Sequence, residues 1–241
     1  MSLLGKGIKA AANAAANSGG TSTSSSGQSL GSALSEGVGK IHIPDGYVKN
    51  DAGKYFIAEK PGCKDSLFGK KAQYLVNDSG FEAFKASRFQ KLIDKGMQKL
   101  GISESDFLKK PDVVYGPNWL EIPEGIPFDK LEIVKKGNDG VFRYVFFKVV
   151  ILYYTEKQLL IYNVTYNIVL EEIMKASTDE YFYKDLIGVT ADDESFLLKS
   201  SGGLAVEIEF QKPAYRTFRI DSCDADEVVM NFRKILREAK S

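Results

Sequence analysis

Hydrophobic residues recur at two different spacings along this chain. Between Asn77 and Gly101 the period is helical: Phe81, Phe84, Phe89, Leu92, Ile93, Met97 and Leu100 keep returning to one broad face. Ser79 and Glu82 have capping-box spacing, and Gly101 is placed to stop the helix. A second short helix is expected from Ser103, ending before Pro111. Upstream, Tyr47-Val48 and Tyr55-Phe56-Ile57 flank the glycine-bearing stretch Lys49–Lys54, which predicts a β-hairpin. Ala72–Val76 reads as a further short strand.

From Leu131 the pattern becomes that of strands. Seven candidates follow: Leu131–Val134, Val141–Thr155, Gln158–Leu170, Glu180–Thr190, Phe196–Lys199, Leu204–Gln211 and Tyr215–Ile220. In the third, Tyr162, Val164, Tyr166 and Ile168 alternate with Asn163, Thr165 and Asn167, so one face is expected to be packed and the other wet. One helix closes the chain. Asp224 and Glu227 have capping-box spacing, Val228, Val229, Phe232, Ile235 and Leu236 form an apolar stripe, and Arg233, Lys234, Arg237 and Lys240 suit the negative end of the helix dipole. The open end of a bent barrel is the expected acceptor for that stripe.

The punctuation between these regions divides the chain into three parts. Residues 1–39 form an Ala/Ser/Gly-rich arm, with a short amphipathic helix drawn over 1–17 and a flexible linker over 18–39. Residues 40–128 form a small α+β unit with its helix at about 80–100. They end in a connection where Pro111, Pro117, Pro123 and Pro127 surround Trp119, the single tryptophan, which is expected to pin its loop. Residues 129–241 form the β-rich unit. The fold class is thus α+β: an antiparallel, seven-stranded bent barrel or roll capped by an amphipathic C-terminal helix.

Seven antiparallel strands followed by one amphipathic helix resembles the pleckstrin-homology-like fold, including its bacterial members. The segment Asp179-Glu-Tyr-Phe-Tyr-Lys-Asp-Leu-Ile-Gly-Val189, leading to the acidic turn Asp192-Asp-Glu194, is similar to segments of such bacterial proteins. The resemblance covers about 110 of the 241 residues. It implies a ligand or partner surface on the first two strands and their loop, here Lys135, Lys136, Arg143 and Lys148. The sequence departs from the phosphoinositide-binding pattern at Val145, where a basic residue is expected, and at Asp139, which sits inside the implied pocket. Phe232 stands nearest to the tryptophan that the family's helix often carries. Lys135 and Lys136 equally suit edge-strand charges that discourage sheet-to-sheet pairing.

Charge and reactive residues narrow the function further. The chain has 32 basic and 32 acidic residues, giving no global field toward nucleic acid or an anionic bilayer. Between 51 and 110 there are 12 basic and 8 acidic residues, a solvated helix face rather than a nucleic-acid footprint. His42 is the one histidine, and the two cysteines, Cys63 and Cys223, read as reduced thiols in a cytoplasmic protein. No catalytic, cofactor-binding or metal-binding set is assigned. The expectation is a non-catalytic interaction module for a protein partner, with a membrane surface as the other partner, contacted through Leu4, Lys6, Ile8 and Lys9 at the membrane periphery. The alternatives are a carboxylate-dependent hydrolase or toxin-like enzyme, drawing on Glu171-Glu172, Asp192-Asp193-Glu194 or Asp224-Asp226-Glu227, and an assembly subunit using the N-terminal arm.

Overall fold

A computed structural model describes residues 50–57, 76–122 and 133–240. All of these lie within one compact unit, Gly37–Ser241. Its first helix, α1 (Asp51–Ile57), stands where a β-hairpin was expected. Asn50 Oδ1 accepts from Gly53 N at 2.7 Å, capping the helix, and Ala52 and Tyr55 are buried three positions apart. The glycine read as a turn therefore sits inside the first helical turn. Tyr47-Val48, the other arm of that hairpin, and Ala72–Leu75 of the next strand candidate lie outside the described residues.

Helix α2 (Asp78–Leu100) matches its expected span, with a different start. Asn77 is the cap, its side chain accepting from Gly80 N at 2.8 Å, while Ser79 donates to that same side chain and Glu82 turns toward the sheet. The end is as expected: Gly101 adopts φ 67° and its amide points back to the last turn. The buried stripe of α2 is Phe81, Lys85, Phe89, Leu92 and Gly96, so a lysine occupies an otherwise apolar row. The helix expected from Ser103 is a single 3-10 turn, Glu104–Asp106, where Asp106 accepts from Ser103 N at 2.7 Å.

Part of the proline-rich connection is a strand. β1 (Asp112–Pro117) pairs antiparallel with a central strand, with Val113, Val114 and Tyr115 between Pro111 and Pro117. An edge position suits it, because a proline removes a ladder donor. The long apolar run from Val141 is two strands. β2 (Val134–Lys136) pairs with β3 (Phe142–Tyr144), and the chain bends at Val145, whose amide bonds Ile133 O at 3.0 Å, before entering β4 (Phe146–Tyr154).

β4 pairs with β5 (Gln158–Asn167), and β5 with β6 (Glu172–Phe182), giving a four-stranded antiparallel sheet of order β1-β4-β5-β6. A tight 3-10 turn, Tyr183–Asp185, leads to a separate meander of β7 (Leu186–Ala191), β8 (Ser195–Ser200) and β9 (Gly203–Glu209). The fourth expected strand, Glu180–Thr190, is thus split between two sheets, and the residues before it extend β6 backward to Glu172. The expected strand Tyr215–Ile220 is a 3-10 turn, Pro213–Tyr215, followed by one parallel bridge from Ile220 to Phe142. Gln211 Nε2 holds the carbonyls of Tyr215 and Phe218 there, curling the backbone away from a ladder.

The architecture is mixed helix and sheet, with antiparallel sheets and the C-terminal helix α3 (Ala225–Lys240). The expected barrel is corrected: the described strands fall into sheets of four, two and three, and none closes. The physical reason lies in the two faces of the central sheet. Phe147, Val149, Ile151 and Tyr153 on β4, with Leu160, Tyr162, Val164 and Tyr166 on β5, join α1 and α2 in one apolar cluster. Val114, Val150, Leu152, Tyr154, Leu159 and Ile161 join β7, β8, β9 and α3 in the other. With both faces of its central strands covered, the sheet has no empty lumen for a helix to plug. Helix α3 lies instead against β7, burying Val228, Val229, Phe232 and Ile235. Among the described residues no helix is long and apolar enough to cross a membrane.

Candidate functional site

The four basic residues singled out from the sequence separate in space. Lys135 stands opposite Arg143 across the β2–β3 ladder, and Lys136 is exposed beside Phe142. Lys135 Nζ donates to Tyr55 O at 2.6 Å and lies 4.5 Å from the centre of that ring. Arg143 is buried, with 3% of its surface exposed. Its Nη1 and Nη2 reach Asp139 at 3.0 and 2.7 Å, and its Nε reaches Glu82 at 2.7 Å. Its guanidinium is therefore committed to carboxylates on α2 and the β2–β3 turn. Asp78, in the first turn of α2, completes the junction by accepting from Tyr55 OH at 2.8 Å and Asn138 N at 2.8 Å.

This junction continues into the interior. Lys85 Nζ lies 2.6 Å from Asp221 Oδ2 and 2.6 Å from Glu82 Oε2, and 3.1 Å from Tyr115 OH. Tyr144 OH donates to Asp221 O at 2.7 Å. Burial pushes the Asp221 carboxyl above the usual aspartate range, with the Lys85 charge pulling the other way. Burial also raises the Tyr115 and Tyr144 hydroxyls well above the usual tyrosine value. The cluster holds α2 to the sheet and to the strand exit at Asp221.

Four of the carboxylates considered for acid–base chemistry have structural employment. Asp192 Oδ1 accepts from the amides of Glu194 and Ser195 at 2.9 and 2.7 Å, and these bonds hold its pKa below the usual range. Glu194 pairs with Arg216, Glu171 pairs with Arg88 at 2.6 Å, and Asp224 accepts from Asp226 N at 3.1 Å at the start of α3. Among the described residues no three His, Cys, Asp or Glu side chains are grouped to hold a metal. Cys223 is a free thiol, bonded by Tyr115 N at 3.4 Å and pushed up to about 11 by burial. His42, Cys63 and the membrane-contact set Leu4, Lys6, Ile8 and Lys9 lie outside the described residues.

Lys148 belongs to a different place. It lines a cavity of about 380 Å³, together with Asn163, Thr165, Lys175, Ser177, Glu207 and Glu209. The register explains it: Lys148, Thr165 and Lys175 stand side by side on β4, β5 and β6, with Asn163 beside Ser177 in the next row. These are the polar continuation of the sheet face whose apolar part is covered by β7–β9. Of the wet positions read from the alternation, Asn163 and Thr165 face this cleft; Asn167 is buried and accepts from the amides of Val169 and Leu170 at 3.0 Å. Burial lowers the Lys148 pKa, with Glu207 and Glu209 opposing that shift. Trp119 forms one wall, its indole donating to Glu209 O at 2.9 Å and its ring stacked on Tyr215 at 5.4 Å.

The rim of the cleft is β6, which contributes Lys175 and Ser177. This strand is 11 residues long and occupies the sheet edge. Its side chains are mostly exposed; Ile173 and Ala176 are half-buried against one apolar cluster and Tyr181 against the other. Among the described residues its outer side has no hydrogen-bond partner. Sequence reasoning missed its first eight residues, because a strand wet on both faces shows no two-residue alternation. The available signal was negative: Glu172–Asp179 follows a long strand, contains no proline or glycine, and has no helical stripe.

Comparison with protein-family models, with curated proteins and with solved structures yields no match.

Proposed function

We propose that this chain is a non-catalytic interaction module that binds a protein partner along the β6 edge, with the adjacent cleft reading the partner's side chains. The observation that carries this is the 11-residue edge strand, unpaired on its outer side among the described residues and open on both faces. Such an edge accepts an extended segment through main-chain hydrogen bonds, while alternate side chains enter flanking pockets. Native proteins usually blunt long edges, and β6 carries one lysine, Lys175, among three acidic residues, Glu172, Asp179 and Glu180. The non-catalytic part of the reading is supported by the commitment of Glu171, Asp192, Glu194 and Asp224, four of the candidate carboxylates, to turns, caps and ion pairs.

The likeness to pleckstrin-homology-like proteins belongs to the same proposal. In its favour stand the antiparallel strands of residues 134–209 and the amphipathic helix α3 packed on them. The open sheets and the upstream strand β1 on the edge of the central sheet depart from it. A cytoplasmic protein is the setting this reading assumes.

The experiment is selection of extended peptides from a random library against the full chain, followed by hydrogen exchange. Bound peptides are expected to slow exchange of outward-facing β6 amides. Of the neighbouring variants Ser177→Pro and Thr178→Pro, one removes an outward donor and should lose the peptides. Peptides that bind while the β6 amides exchange unchanged would falsify the reading.

A further inference from the structure

The cleft and the edge leave open what pairs with β6. We infer that its occupant is a second copy of this chain, paired antiparallel across a two-fold axis beside Ser177. The inference rests on the edge reading above and names the partner.

The argument is one of symmetry and charge. Two identical strands related by a two-fold axis pair antiparallel only when that axis is perpendicular to the sheet, which keeps each sheet face on its own side. Directly opposite residues share a face, so each contact joins positions of equal parity and the axis passes beside one residue. On the cleft face, β6 presents Lys175, Ser177, Asp179 and Tyr181, opposite Thr165, Asn163, Ile161 and Leu159 of β5. The register shift between Thr165 and Tyr166 ends this regular stretch at Lys175.

Lys175 is the one base on the strand, and Asp179 is the one acid on its face within the regular stretch. Only an axis at Ser177 sets Lys175 of each copy opposite the partner's Asp179, making the pair twice. Moving the axis to Ala176 sets Lys175 opposite Ser177, and moving it to Thr178 leaves Lys175 opposite Tyr181. Neither Lys175 nor Asp179 has a hydrogen-bond or ion-pair partner among the described residues, so both charges are available. The exposure of β6 on both faces lets the second sheet approach without displacing α2 or β9. The product is a continuous antiparallel sheet built from two four-stranded halves.

The test is light scattering of the full chain across a dilution series, with circular dichroism as the folding control. The wild type is expected to approach twice the chain mass. Lys175→Asp places aspartates opposite each other at both symmetric positions and should weaken the dimer at least about tenfold. Asp179→Lys should do the same with lysines, and the double variant Lys175→Asp/Asp179→Lys should restore it. A wild type that stays monomeric overturns this inference, as does a dimer indifferent to either single change or a swap that fails to restore. The edge reading is judged separately, since β6 protection by selected peptides does not require self-association.

Discussion

The ammonium of Lys85 and the carboxylate of Asp221 meet at 2.6 Å in the interior, although 136 positions separate them in the chain. Both side chains are buried, with 5% and 9% of their surface exposed. Helix α2 is thereby fastened to the segment that leaves the β9 meander and enters α3. Removing one partner leaves the other charge buried and uncompensated. Lys85→Met is expected to destabilise the chain by about 3–5 kcal/mol in urea denaturation. Lys85→Met combined with Asp221→Leu should lose less than Lys85→Met alone, because it removes the orphaned charge as well. Equal losses in the single and double variants would show that the clamp acts through shape rather than charge.

Acid should weaken the second half of this network. The Arg143 hydrogen bonds hold Asp139 down to about 2, below the unfolded value of about 3.9. A carboxylate with a lowered folded pKa stabilises fully above the unfolded value, and that contribution fades as pH falls from about 4 to about 2. Asp221, raised by burial, acts in the opposite sense: its contribution is greatest when protonated and declines as pH rises through its folded pKa. The difference in stability between wild type and Asp139→Asn isolates the first effect. That difference is expected to be positive at neutral pH and to shrink below pH 4, measured by denaturant titration at each pH. A constant difference would place the Asp139 pKa at its ordinary value.

A glycine in the middle of α2 has a steric reason. Gly96 lies against the sheet, where an added Cβ would collide with the Tyr153 hydroxyl and the Tyr162 ring. The Tyr153 hydroxyl is itself fixed, donating to Ile93 O at 2.7 Å. Helix propensity alone favours Gly96→Ala by about 1 kcal/mol. Overpacking of about 1–3 kcal/mol opposes it, so the substitution should lower the denaturation midpoint. Pairing it with Tyr153→Phe, which removes the obstructing oxygen, should recover part of the loss.

How much of this was readable depends on whether a residue has one neighbour layer or two. Helix α2 was legible because one stripe faces the sheet and its Gly101 terminus is local chemistry. The same holds for α3 and for β8 and β9, each with one wet and one packed face. The barrel was not a sound expectation because residues such as Val149, Val150 and Ile151 are buried on both sides, so their apolar run carries no curvature information. Short segments misled for another reason: Tyr55 and Phe56 have strand propensity, yet the Asn50 cap and the Phe81 ring decide for helix α1. Lys148 was singled out as a basic position on an early strand; its company of Lys175 and Glu207 follows from register alone.

The half-buried thiol should be quiet. Cys223 is pushed up to about 11 by burial, so little thiolate exists at neutral pH. In a Cys63→Ser background, modification of Cys223 by a disulfide reagent is expected to be slow in the native state and fast in denaturant. Rapid native labelling would mean that the contact between α3 and β1 opens readily.

Trp119 supplies the readout for the cleft, because it is the single tryptophan of the chain and forms part of the wall. Its indole donates to Glu209 O at 2.9 Å, and its ring is nearly parallel to Tyr215, at 13°. Removing the hydrogen bond and removing the ring are separable. Trp119→Phe keeps an aromatic surface on Tyr215 and leaves a carbonyl short of one donor, which should cost about 1 kcal/mol. Trp119→Ala also removes the packing between the β1 exit and the Tyr215 turn, and should cost about 3–5 kcal/mol. In the wild type, the buried indole should emit to the blue and shift when β6 is occupied, since Lys175 and Trp119 line the same 380 Å³ space. Emission unchanged on adding a β6-binding peptide, with β6 amides protected in the same sample, would mean that the strand edge and the cleft work independently.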